Sequence, residues 1–187
     1  MTTLYIKNMV CDRCKAAVAK VLADLGLTPH AIELGTAEVE GTLDDAKLGL
    51  LRAALARQGF ELLEDRQQQT VDRIKSEIIR LVHYNDGAPA MNLSTFLSRK
   101  LNADYSSLSK LFSENTGITI ERYFILQRVE RVKELLFYGE MSLGEIASRM
   151  NYSSTAYLSS QFKSVTGMTP TQFKAMRKKE LKQLDKI

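Results

Sequence analysis

Cys11 and Cys14 are the only thiols among the 187 residues, and the run Cys11-Asp12-Arg13-Cys14 puts both sulfurs on one short loop. Two thiolates this close suit a soft ion content with few ligands, Cu(I) foremost. Zinc asks for about four ligands; His30, His83 or a second molecule would have to supply the rest, and nothing in the sequence points to that. Cysteines three positions apart cannot staple a fold, which excludes a disulfide scaffold. A thiol–disulfide redox pair and a loop kept only for folding remain alternatives, the redox reading weakened by a strand order unlike that of a thioredoxin. Apart from this pair there is no nucleophile with a partnering base and no glycine-rich phosphate loop, so no enzyme chemistry is expected.

The loop sits between elements that the hydrophobic pattern predicts. Residues 4–6 read as a strand, 9–12 as the loop and 13–25 as a helix with Ala17, Val18, Val21, Leu22 and Leu25 at helical spacing and Gly26 as its stop. Cys14 falls in the first turn of that helix, where the N-terminal dipole favours a thiolate. Strands over 31–34 and 37–40 flank the Gly35-Thr36 turn, Asp44 caps a helix carrying Leu48, Leu51, Leu55 and Ala56, and 60–63 is a last strand. The order strand, helix, strand, strand, helix, strand predicts a ferredoxin-like α+β sandwich with both helices on one face of an antiparallel sheet.

With Met9-Val10-Cys11-Asp12-Arg13-Cys14 on that loop and Gly59-Phe60 opening the last strand, residues 3–64 resemble the heavy-metal-associated domain of copper chaperones and metal-transporting ATPases. The resemblance implies Cys11 and Cys14 as ligands of Cu(I) or a similar ion, Met9 as a buried anchor, and a metal-donor protein as partner. Asn8 stands where that family usually has glycine.

Residues 65–70 are polar, and the domain boundary is expected there, giving domains 1–66 and 67–187. Residues 1–69 hold 8 Lys+Arg against 10 Asp+Glu, net −2, and the remainder 18 against 12, net +6, which sum to the +4 of the chain. A basic half fits a polyanionic partner. No apolar run approaches the ~18 residues of a membrane span, and no signal pattern opens the chain; a soluble, cytoplasmic protein is expected.

The basic half is written twice. A shift of 50 residues places Leu93 on Leu143, Ser98 on Ser148, Arg99 on Arg149, Leu108 on Leu158, Ser109 on Ser159, Phe112 on Phe162, and Thr116-Gly117-Ile118-Thr119 on Thr166-Gly167-Met168-Thr169. Each copy reads as a short helix, a break, a second helix and a glycine stop, the pattern of a helix-turn-helix. A helix from Val71, ended by the turn residues 85–89, supports the first copy, and His83 at its edge is expected to be a surface or packing residue. Asp104 caps the second helix of the first copy, with Leu108, Leu111 and Phe112 inward and Tyr105, Ser106, Ser107, Ser109 and Lys110 outward. Residues 119–138 form an unbroken helix of about 30 Å, close to the ~34 Å between successive major-groove faces. In the second copy Leu143, Ile146 and Ala147 face inward, Asn151 takes the turn, and Ser153 caps a helix with Leu158, Phe162 and Val165 inward. Ser154, Thr155, Tyr157, Ser160, Gln161 and Lys163 remain outward, with donors and acceptors that suit phosphates and base edges; Gln161 has the groups to pair with an adenine edge. Thr169-Pro170 starts a last helix whose tail, Lys174, Arg177, Lys178, Lys179 and Lys182, is basic.

At Arg128, Leu135-Leu136, Ile146-Ala147, Tyr152, Phe162-Lys163, Gly167-Met168-Thr169-Pro170 and Phe173, residues 71–177 resemble the AraC/XylS family of transcription regulators. The resemblance implies a seven-helix, two-headed domain that binds double-stranded promoter DNA and contacts RNA polymerase. Asn151 replaces a usual Gly, Leu158 a usual Phe and Ser160 a frequent Arg, the last removing a bidentate guanine contact. The expectation is a transcription regulator that senses Cu(I) or a similar ion. The alternative is a metal chaperone or transfer protein whose helical half serves for docking or localisation.

Overall fold

The computed structural model describes residues 1–84 and 92–176. Two compact units divide the chain, Met1–Glu77 and Ile78–Ile187.

The first unit runs β1 (Thr2–Lys7), α1 (Asp12–Asp24), β2 (Pro29–Glu33), β3 (Thr36–Val39), α2 (Asp45–Arg57), β4 (Glu61–Leu63) and the first turns of α3 (Arg66–Ile79). The four strands form one antiparallel sheet in the order β2-β3-β1-β4. Alternation sets the buried face: Leu4 and Ile6 of β1 and Ala37 and Val39 of β3 point into one core with Val18, Val21 and Leu22 of α1 and Leu51 and Leu55 of α2. On the opposite parity Lys7 faces Glu61 across the β1–β4 pair at 2.8 Å. Asp44 caps α2 as expected, accepting from the Lys47 N–H at 2.7 Å. Gly35 turns between β2 and β3 at φ +82°, and a Cβ there would lie 2.7 Å from Ser76 Oγ of α3, so the close approach of that helix requires glycine.

The polar run after β4 is structured. Asp65 accepts from the N–H groups of Gln67 and Gln68 at 2.8 and 2.9 Å and so starts α3, while Gln69 donates back to the Leu63 carbonyl at 2.9 Å. The boundary between the compact units falls inside this helical run instead of in the linker, because Val71, Ile74 and Ile78 continue one buried stripe along it. A π-turn, Arg80–Tyr84, follows. The turn expected at 85–89 lies outside the described residues.

In the second unit α4 (Leu93–Leu101) and α5 (Tyr105–Thr116) form one helix pair, α6 (Ile120–Tyr138) connects, and α7 (Leu143–Arg149) with α8 (Thr155–Thr166) forms the other, before α9 (Pro170–Ala175). Counting from α3, these are seven helices among the described residues. At the exit from α5 and α8 the 50-residue duplication is repeated bond for bond. Thr116 Oγ1 donates to the Phe112 carbonyl at 2.7 Å and Thr166 Oγ1 to that of Phe162 at 2.8 Å, and each hydroxyl also reaches the carbonyl two residues on. Gly117 and Gly167 follow in the left-handed conformation, which glycine adopts without a Cβ clash. Thr119 then caps α6 and Thr169 caps α9, and the ring pairs Phe112–Tyr123 and Phe162–Phe173 both sit at 5.6 Å. Each unit of the duplication therefore extends into the start of the following helix.

Candidate nucleic-acid interface and thiol pair

The second helix of each pair is buried along one stripe and open along the other. α5 buries Leu108 and Phe112 and α8 buries Leu158 and Phe162. Leu111 and Val165, expected inward, are half-buried; both lie on the flank of the stripe, three positions from Leu108 and Phe162 respectively. Leu143, also expected inward, is half-buried at the first position of α7, while Ile146 and Ala147 are buried.

On α5, Ser106, Ser107 and Lys110 are exposed, and Tyr105 and Ser109 half-buried. Asp104 is the N-cap, accepting from the Ser107 N–H at 3.1 Å, and its carboxylate also takes the Ser106 hydroxyl. Hydrogen bonds from Ser106 and from the Ser107 backbone hold that carboxyl below its usual value. Tyr105 donates its hydroxyl to Glu121 at the start of α6, and Lys110 faces Glu114 at 4.0 Å. Burial and the bond to Glu121 keep the Tyr105 phenol neutral.

On α8, Thr155, Tyr157, Ser160 and Lys163 are exposed and Gln161 is half-buried. Ser154, not Ser153, is the N-cap, accepting from the Tyr157 N–H at 3.0 Å. Either serine has the chemistry to cap. The register imposed by burying Leu158 and Phe162 decides for the later one, which stands 50 residues after the Asp104 cap. Asn151 is left-handed at φ +51° as expected, and Asn102 plays that part in the first pair at φ +50°. The Gln161 carbonyl oxygen accepts from the Tyr152 hydroxyl at 2.8 Å, so it is already committed inside the protein.

In the sequence Arg128 is one of four basic residues on the connector, with Arg122, Arg131 and Lys133, and one of those that carry the AraC/XylS resemblance. Its guanidinium donates to the Met150 carbonyl at 2.6 Å and stacks 3.8 Å from the Tyr152 ring and 5.5 Å from that of Phe124. Burial lowers its pKa from the ordinary value. The signal available beforehand was Phe124 four residues earlier, one helical turn away. Arg131 and Lys133 are likewise engaged internally, with Glu134 and Glu130, both at 2.8 Å. Of those four basic residues Arg122 is the exposed one. The His83 side chain is buried, its Nε2 3.0 Å from Gln127 Oε1, and Gln127 Nε2 donates to the Tyr123 hydroxyl at 3.0 Å. With the amide nitrogen so used, its oxygen faces the His83 ring, whose Nδ1 lies 3.8 Å from Glu134 Oε2. His83 is thus a packing residue inside a polar chain. Lys174 is exposed; Arg177, Lys178, Lys179 and Lys182 lie outside the described residues.

The thiols lie at the end of β1, a central strand of the first unit. Met9 is 2% exposed and anchors the loop. Asn8 adopts φ +73°, the conformation for which glycine is the default, and donates to the Gly59 carbonyl at 3.0 Å. Cys11 is the N-cap residue of α1 and Cys14 the third residue of that helix, with the sulfurs 3.2 Å apart and both half-buried. The helix terminus acts on the other sulfur from the one expected. Burial opposes ionisation of Cys11, but hydrogen bonding from Cys14 and the N–H groups of Cys14 and Arg13 outweigh it and lower its pKa, whereas burial raises that of Cys14. The cap position explains this, since the free N–H groups of a helix start point at the residue preceding it. For an ion ~2.3 Å from each sulfur, a 3.2 Å separation subtends only about a right angle. Wider ligation needs the pair to open by about 1 Å, within reach of a side-chain rotation, and the donor set fits a soft ion. Among the described residues no group of three or more His, Cys, Asp or Glu side chains could hold a metal.

Residues 97–176 match the family described as a helix-turn-helix domain. The chain is 29% identical over 168 residues to the uncharacterized transcriptional regulatory protein YesN of Bacillus subtilis, covering 85% of this chain and 45% of that one. It is 26% identical over 125 residues to the Msm operon regulatory protein of Streptococcus mutans, covering 67% and 44%. The chain thus spans less than half the length of these two relatives. Among solved structures, the C-terminal domain of AraT, a response regulator from Geobacillus stearothermophilus, is similar with a TM-score of 0.52 and 26% identity over 63% of this chain and 95% of that one. No helix among the described residues is long and apolar enough to cross a membrane. The helical part of this chain, with residues 97–176 at its heart, is therefore similar to helix-turn-helix domains found in these regulatory proteins.

Proposed function

We propose that the chain is a DNA-binding transcription regulator whose two helix pairs each present α5 or α8 to a major groove, and whose N-terminal unit is a heavy-metal-associated domain that binds Cu(I) or a similar soft ion through Cys11 and Cys14. The observation that carries the DNA reading is the duplicated pair with its hydrogen bonds repeated at the same shift, each helix buried on one stripe and polar and open on the other. α6 at 19 residues is about 28 Å long, near one turn of B-DNA. The antiparallel order β2-β3-β1-β4 with both helices in one core, together with a thiol pair at a helix start, supports the metal reading. RNA polymerase and a metal-donor protein are partners that this reading implies.

Duplex binding is tested by fluorescence anisotropy of the full chain on labelled DNA at several salt concentrations, where log K falls linearly with log[salt] if phosphates are contacted. Binding without such a slope would remove the phosphate contacts, and no binding would remove the function. The same titration with and without Cu(I), in wild type and in Cys11→Ser/Cys14→Ser, measures the coupling between metal and DNA. Equal affinities in all four arms exclude metal as the signal.

A further inference from the structure

The second helix pair carries a relay that the first lacks. Arg128 of α6 lies against the face of the Tyr152 ring, Tyr152 is 8% exposed in the turn, and its hydroxyl meets the half-buried Gln161 on the flank of α8, between the buried stripe and the exposed Ser160. An amide can meet a phenol through either end, and the neighbours decide which. A guanidinium stays charged; placed over the ring, it withdraws electron density from the phenol and makes it the stronger donor and the weaker acceptor. Burial holds the phenol above its ordinary pKa while the Arg128 charge works the other way, so the hydroxyl keeps its proton and donates it. Gln161 Oε1 is therefore the inner end of the amide and Nε2 the outer. Among the described residues that nitrogen has no hydrogen-bond acceptor.

We propose that Gln161 is a specificity-determining residue that meets the base edge as a donor only, its orientation set by Tyr152 and Arg128 acting as positioning residues. An amide with both ends free forms a donor–acceptor fork for adenine N6 and N7. With Oε1 turned to the Tyr152 hydroxyl, the amide no longer presents its oxygen and nitrogen side by side to one base, and the fork is closed by orientation. What remains is an NH₂ group that suits acceptors in the major groove, guanine N7 and O6 or thymine O4, and that meets the N4 donor of cytosine unfavourably. This replaces the adenine pairing expected from the residue type. The inference rests on the DNA-binding reading above.

The test is selection of bound sequences from a randomised duplex pool by the full chain, as wild type, Tyr152→Phe and Gln161→Glu, with thermal unfolding recorded for each. Wild type is expected to enrich guanine or thymine and deplete cytosine at one position. Tyr152→Phe frees the Gln161 oxygen and shifts that position alone toward adenine, by about three- to tenfold for one hydrogen bond. Gln161→Glu keeps an acceptor for Tyr152 but turns a carboxylate oxygen outward, moving the preference to cytosine; its half-exposed site makes it independent of any folding defect in the first variant. Unchanged base profiles in both variants, with duplex binding intact, overturn the donor-only assignment and leave the DNA-binding reading standing. Failure of wild type to bind any duplex overturns both.

Discussion

The two helix pairs share a scaffold and differ in how their open helices are held. In both, a threonine hydroxyl, a left-handed glycine and a capping threonine lock the exit from α5 or α8, and an aromatic pair at 5.6 Å ties it to the next helix. At the entrance they diverge. α5 starts on the Asp104 carboxylate and is tied by Tyr105 to Glu121, whereas α8 starts on the neutral Ser154, with Gln161 on its second turn reached by Arg128 through Tyr152. Counting each open helix with its cap, the first carries Asp104, Lys110 and Glu114, net −1, and the second only Lys163, net +1. A phosphate backbone is attracted to the second and repelled by the first. The hydrogen bonds that set helix direction recur in both copies, while the residues on the open faces differ.

The comparison is broken most sharply at its shared core. Phe112→Ala and Phe162→Ala each remove a buried ring and are expected to cost about 3–5 kcal/mol; urea unfolding should give two values within about 1 kcal/mol of each other. A large asymmetry would show that the pairs are alike in outline only. Arg128→Ala comes next. It strips a stacked cation from Tyr152 and leaves the Met150 carbonyl without its donor, with an expected loss of about 2–3 kcal/mol. Arg128 is the second pair's device, so hydrogen exchange should rise in α7 and α8 and leave α4 and α5 unchanged.

A control lies in the N-terminal unit, outside both pairs. Burial pushes the Asp72 carboxyl up to about 6, against the lowering influence of Lys75 and Lys7 and with Glu61 adding to the rise. A carboxyl raised above its unfolded value contributes stability that is present below that value, near 4, and lost as pH climbs through 6. Asp72→Asn should therefore stabilise the unit by about 1–2 kcal/mol at pH 7, after solvent screening, and by almost nothing at pH 4, read from thermal unfolding at the two pH values. The smallest effect sharpens the charge difference. Asp104→Ser gives the first pair the second's kind of cap, and duplex affinity should rise about twofold at low salt and vanish into the error at high salt. The matching exchange, Ser154→Asp, should lower affinity by a similar factor.

The elements were legible because each is written in local chemistry. The period of Ala17, Val18, Val21 and Leu22, the Asp44 and Asp104 caps and the glycine stops act over one or two helical turns, and the 50-residue duplication announced a second copy of whatever the first one built. The candidate site was less legible. The sequence offered eleven residues of α5 and α8 as one outward face, of which Tyr105, Ser109 and Gln161 are half-buried, and it offered Gln161 as a free amide, Ser153 as a cap and Cys14 as the favoured thiolate. Gln161 depends on its contact with Tyr152, Ser153 on a register of one residue that buried leucines and phenylalanines settle together, and Cys14 on which residue takes the cap position of α1.

The sequence by itself determined which segments are strands and helices, that two thiols share a loop, and that a bihelical unit occurs twice, since patterning and capping are properties of adjacent residues. Only the tertiary structure decided which polar groups are already spent. Arg128, Arg131, Lys133 and His83 look like surface chemistry in one dimension and are bound inside the second unit in three. The physical reason is that burying a polar group is tolerable only when it is paired: Arg131 and Lys133 find their partners one helical turn away, whereas those of Arg128, His83 and Gln161 are supplied by packing.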